Sequence, residues 1–122
     1  MMEALIANAY EVIADNPILD GETFRVTHLR RTERSTSAVC SIEVGGGLRP
    51  HIHHHHDEII IFLEGEADFR LGDEVRRVRA GDVAVVPAGT AHATMNAATR
   101  VVIAAVFAPN FDPANEDREY VD

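Results

Sequence analysis

Five histidines, an aspartate and a glutamate crowd into the segment PHIHHHHDEIIIFLEG, residues 50–65, just ahead of a run of isoleucines. Neutral imidazoles beside a carboxylate are the donor types that bind divalent first-row metals. A purification tag does not explain them, because the stretch lies mid-chain, is interrupted by Ile52 and runs directly into Asp57 and Glu58. On a strand, residues two apart share a face, so His51, His53 and His55 point one way and Ile52, His54 and His56 the other. Two imidazoles at that spacing make half of a metal site. His54–Asp57 reads as a turn, and an antiparallel return is expected to bring Glu58 beside them. A third imidazole must come from elsewhere. His92, just past the turn PAGT, is the main candidate, whereas His28 sits among apolar neighbours and reads as structural.

The elements that must position these groups are nearly all strands. TFRVTHL (23–29) and SAVCSIEV (37–44) are rich in β-branched residues, and three glycines end the second. EADFRL (66–71) alternates with period two, Gly72–Asp73 supplies a two-residue hairpin turn, and EVRRVR (74–79) returns. VAVVP (83–87) and AHATMN (91–96) follow. RVVIAAVFA (100–108) is apolar without alternation, as expected of a strand covered on both faces. About nine short strands predict an all-β sandwich or small barrel. Residues 3–14 read as one short helix, though Val12 and Ile13 fit a strand as well. In the acidic tail, residues 109–122, Asp112 and Pro113 are placed to start a short helix. The other reading of the tail is an extended arm, with Phe111, Tyr120 and Val121 available to a neighbouring subunit.

Composition bounds what such a barrel can do. The 122 residues suffice for one domain, with a barrel core over about 22–108 and an extension over 1–21. A formal charge of −9 argues against nucleic acid as a partner. Cys40 is the sole cysteine, so no internal disulfide forms; it is expected to be a small buried hydrophobe. The first residues lack the basic start of a signal peptide, and no apolar run approaches the ~20 residues of a membrane span. A soluble, cytoplasmic protein with no membrane partner is the expectation.

Two longer patterns carry a family resemblance. Gly45, His51, His53, Glu58 and Gly65 spell G-x(5)-H-x-H-x(4)-E-x(6)-G, and Gly81, Pro87, Gly89, His92 and Asn96 spell G-x(5)-P-x-G-x(2)-H-x(3)-N. In this order they resemble the two signature motifs of the cupin superfamily, over about residues 36–108. The resemblance implies a double-stranded β-helix, a jelly-roll-type barrel. It also implies one divalent metal ion held by His51, His53, Glu58 and His92, with the motif glycines, Pro87 and Asn96 shaping turns. Many members have proline after the second histidine, where this chain has His54. That opens a rival register with His53 and His55 as ligands, but it leaves only two residues for a turn before Glu58.

Three imidazoles and one carboxylate leave two open positions on an octahedral ion and suit Fe, Mn, Ni, Co or Zn. Open positions suit a small metalloenzyme acting on an oxygen-rich small molecule, of dioxygenase type or of sugar- or acid-isomerase, hydratase or decarboxylase type. The alternative is a non-catalytic metal-dependent module that binds or senses a small ligand. A barrel kept only for assembly is disfavoured, because convergent polar groups in an apolar interior are costly unless paired or metallated. Arg49, two before His51, is a candidate clamp for a substrate carboxylate. His55 is a candidate acid or base, and Thr94 and Phe107 are candidate cavity lining, with ordinary packing favoured for Thr94. Alternation puts Ile60 and Phe62 inward with Glu58, and Ile59, Ile61 and Leu63 outward. A partner subunit is the expected cover for that outer face, giving a homodimer.

Overall fold

Short apolar-polar alternations punctuated by glycine turns become ten strands in the computed structural model, which describes residues 4–122. The strands are β1 (Phe24–Arg31), β2 (Thr36–Ile42), β3 (Leu48–His53), β4 (Asp57–Glu64), β5 (Glu66–Leu71), β6 (Glu74–Arg79), β7 (Val83–Val86), β8 (His92–Met95), β9 (Val101–Ala108) and β10 (Arg118–Tyr120). They make two antiparallel five-stranded sheets, ordered β1-β2-β9-β4-β7 and β10-β3-β8-β5-β6. The two sheets close face to face as the expected double-stranded β-helix. Phe62 from one meets Phe69 from the other edge-on at 5.6 Å, with Ile42, Ile60, Val101 and Ile103 packed in the same core.

The motif glycines do what the turns require. Gly45, Gly65, Gly81 and Gly89 all have positive φ, between 79° and 97°. At Gly65 an added Cβ would also lie 2.2 Å from the Arg100 carbonyl oxygen, so the crossing from β4 to β5 admits no side chain. Asn96 takes a left-handed φ of 54° and donates from its amide to Asp68, a turn role as expected.

The segments that flank the barrel strands, a helix before β1 and residues 109–122 after β9, pack against the barrel. The N-terminal helix α1 (Ala9–Asp15) is shorter than expected, because the Asn8 side chain accepts from the Tyr10 and Glu11 amides and starts the helix there. The expected start at Glu3 lies outside the described residues. Ile13 of α1 packs on Val39 and Val102, so the helix covers the outer face of β9 at one end only; Ala104 and Val106 further along are half-buried. After β9, Phe111 is buried against Phe107 and Ala38, and its backbone is held by the Thr36 hydroxyl in two 3.0 Å hydrogen bonds. Phe111 therefore serves the chain's own core, not a neighbour. Asp112 caps one 3₁₀ turn, Pro113–Asn115, and β10 then pairs with β3, placing Arg118 opposite His53 and Tyr120 opposite His51. Among the described residues no helix is long and apolar enough to cross a membrane.

Candidate metal centre

The four expected ligands meet inside the barrel. His51 and His53 project from β3 at the two-residue spacing of one strand face, and His92 on β8 stands directly opposite His51 in the ladder. Glu58 arrives differently from the expectation. β3 and β4 do not pair; the chain crosses from one sheet to the other over His54–His56, and Glu58 faces the histidines from the opposite wall. Two contacts fix that crossing: the Gly89 amide donates to the His53 carbonyl at 2.8 Å, and the Ala88 amide donates to Asp57 at 2.9 Å. The donor atoms of His51, His53, Glu58 and His92 all lie within 4.8 Å of one another, and all four residues are buried.

Ring orientation tests whether a cation belongs there. The Nδ1 of His51 donates to the Arg49 carbonyl at 2.6 Å and that of His92 to the Thr90 carbonyl at 3.1 Å. This tautomer, assigned from the bonding pattern, leaves each Nε2 with a bare lone pair. The Nε2 of His92 nevertheless sits 3.0 Å from Glu58 Oε1, so a lone pair faces a carboxylate, and His53 Nε2 lies 3.5 Å from the same oxygen. Such convergence is repulsive unless a cation lies among the groups, and three nitrogens with one oxygen suit a divalent first-row ion. The donor set fits the implied metal. Burial, reinforced by the neighbouring imidazole of His92, pushes the pKa of His51 down to about 3. Burial also lowers that of His53, partly offset by Glu58, so both rings stay in the neutral form that ligation needs.

The cavity beside the four ligands is walled by Val26, Val39, Ile103, Ala105 and Phe107, with Phe107 edge-on to His53 at 5.2 Å. Cys40 lines it as a buried thiol whose pKa is pushed up to about 12, chiefly by desolvation. It is the inert hydrophobe expected.

Arg49 and His55 do not reach the site. The β3–β8 register slips between Leu48 and His51, at a bulge beside Pro50, which has no N–H for the ladder. Alternation fails across the bulge, so Leu48 lines the cavity while Arg49 points outward and stacks over Tyr120 at 4.2 Å. β3 ends at His53, so His55 sits exposed in the crossing turn and the register pairing it with His53 is excluded. His56, in the same crossing turn, is buried against Phe111, with its Nδ1 2.9 Å from the Pro109 carbonyl oxygen. Thr94 is buried strand packing, and His28 lies edge-on to Phe111 away from the site.

The tail supplies what the sequence reading missed. Glu116 and Arg118 line the cavity, and Asp117 Oδ1 lies 3.6 Å from His53 Nδ1 and 3.5 Å from His56 Nε2. The available signal was the two-residue spacing of Glu116, Arg118 and Tyr120, which marks a strand face.

Residues 38–107, more than half of the chain, match the family model described as a cupin domain. A curated relative from Aquifex aeolicus, an uncharacterized protein, is 33% identical over 63 residues; the match covers 52% of this chain and 52% of that one, so this chain spans about half the relative's length. A crystal structure of an uncharacterized conserved protein with a double-stranded β-helix domain, from Klebsiella pneumoniae, superimposes with a TM-score of 0.82 at 24% identity, over 98% of this chain and 99% of that one. A recombinant oxalate oxidase in complex with glycolate superimposes with a TM-score of 0.68 at 23% identity, over 82% of this chain and 56% of that one.

Proposed function

This chain belongs to the cupin family, and we propose that it is a metalloenzyme with one divalent ion, acting on a small oxygen-rich molecule. The chemistry is of dioxygenase type, or of sugar- or acid-isomerase, hydratase or decarboxylase type. One observation carries the proposal: three buried imidazoles and a buried carboxylate converge at the edge of a largely apolar cavity. A divalent ion held there supplies Lewis-acid polarisation and coordination positions for a chelating oxygen ligand. The chain's own contribution is to keep the rings neutral and oriented through the Arg49 and Thr90 carbonyls, and to exclude bulk water with aliphatic walls. Glycolate, the small hydroxy acid bound to the oxalate oxidase of similar fold, is a ligand of the chelating kind envisaged.

A second reading, a non-catalytic metal-dependent binding or sensing module, draws on a different observation. Glu116 is the one carboxylate besides Glu58 that lines the cavity among the described residues, and Arg118 holds it at 2.7 Å. A tethered carboxylate is a poor proton carrier.

Elemental analysis of untagged protein, followed by assays with small acids and sugars in air, separates these readings. The enzyme reading expects one equivalent of metal, and turnover that disappears in Glu58→Ala. Metal and ligand binding without turnover would favour the second reading. A wild type that takes up no metal would end both.

We also propose a homodimer. The outer side chains of β4 and β7, namely Ile59, Ile61, Leu63, Val83 and Val85, form one aliphatic patch, each 36 to 59% exposed. A second copy of the same face is the cover proposed for it.

A further inference from the structure

We infer that Arg118 is an anion anchor in the cavity and that the ligand taken there is a small carboxylic acid. This rests on the metal-dependent reading above and narrows it. β10 pairs Arg118 with His53, and its side chain lines the same cavity as His51, His53 and Glu58. Two of its nitrogens are engaged: one terminal nitrogen donates to the Tyr120 hydroxyl at 3.2 Å, the other to Glu116 at 2.7 Å. Its Nε is buried without a partner. A buried guanidinium N–H lacking an acceptor is costly, so the chain is one acceptor short at this spot.

Arg118 is the one cationic side chain lining this cavity among the described residues. The guanidinium fork matches carboxylate geometry, and a neutral sugar would leave Nε unmatched. Acids are thereby favoured over neutral sugars among the substrate classes proposed. Size restricts them further. The cavity is about 30 Å³, room for about one water, so a few-carbon acid enters only as Glu116 gives way. The incoming carboxylate exchanges with Glu116 on Arg118.

The test uses full-length protein loaded with Co(II), titrated with glycolate and with its neutral amide, glycolamide. Calorimetry and the visible cobalt spectrum are the readouts. Wild type should bind glycolate more tightly than glycolamide. Arg118→Gln should weaken glycolate about tenfold or more and leave glycolamide unchanged. Glycolate binding unchanged in Arg118→Gln, or equal binding of both probes by wild type, would overturn the inference. If Arg118→Gln does not fold, Glu116→Gln decides: it removes the competing carboxylate and should tighten glycolate several-fold, and equal or weaker binding refutes the exchange. Failure of the metal reading shows separately, as absent Co(II) stoichiometry in wild type before any acid is added.

Discussion

His53 Nδ1 faces Asp117 Oδ1 at 3.6 Å; both atoms are buried and make no shorter hydrogen bond, and the same oxygen lies 3.5 Å from His56 Nε2. Asp117 is anchored in turn by the His55 amide, which donates to its second oxygen at 2.9 Å. Two of the three ligand histidines turn their Nδ1 to backbone carbonyls; the third turns it to a carboxylate from the tail. A carboxylate behind a ligand histidine orients the ring and raises its basicity.

Asp117→Asn should therefore weaken metal binding by about 10- to 100-fold with the barrel intact. Competition with a chromogenic chelator measures this, with far-ultraviolet circular dichroism as the control on folding. An unchanged dissociation constant would show that Asp117 does not support His53.

Acid should destabilise the metal-free protein before the carboxylates titrate. His51 takes up a proton near pH 6.5 when unfolded but only near about 3 when folded, and the pKa of His53 is lowered in the same direction. Between those values the unfolded chain binds more protons, so stability falls as pH falls. The penalty begins near 6.5 and saturates below about 3. Its slope is at most about 1.4 kcal/mol per pH unit for each such ring. Urea midpoints in a chelating buffer at pH 7 and pH 5 test this; a midpoint that holds or rises at pH 5 would contradict it.

Cys40 should resist alkylation in native protein at pH 8, because its thiol is buried and titrates only near about 12. In urea it should react at the rate of an ordinary thiol. Rapid labelling without denaturant would mean that the cavity wall opens far more often than its packing implies.

Ile61→Glu, on the outer face of β4, should convert a dimer to a monomer while the core stays folded. Light scattering of both proteins at micromolar concentration gives the answer. A wild type that is already monomeric would remove the homodimer proposal and leave the metal centre untouched.

Short-range regularities were legible in the sequence. Alternation in EADFRL gave β5 its limits, and Gly72–Asp73 placed the hairpin to β6. Asp112 and Pro113 located the turn in the tail. Two-residue spacing put His51 and His53 on one face, and the motif resemblance added Glu58 and His92. Each of these rests on residues close in the chain, or on a pattern whose members keep their order.

What only the tertiary structure decided was partnership across distance. Glu58 meets the imidazoles across the gap between two sheets, because a short turn carries the chain from one wall to the other and does not form a hairpin. Arg49 lost its place to Leu48 because a single bulge beside Pro50 reverses the alternation locally. Glu116, Asp117 and Arg118 reached the cavity because β10 found the free edge of β3, and edge pairing uses backbone groups that every residue carries. Side-chain pattern specifies which face a residue takes; it does not name the strand that will lie beside it.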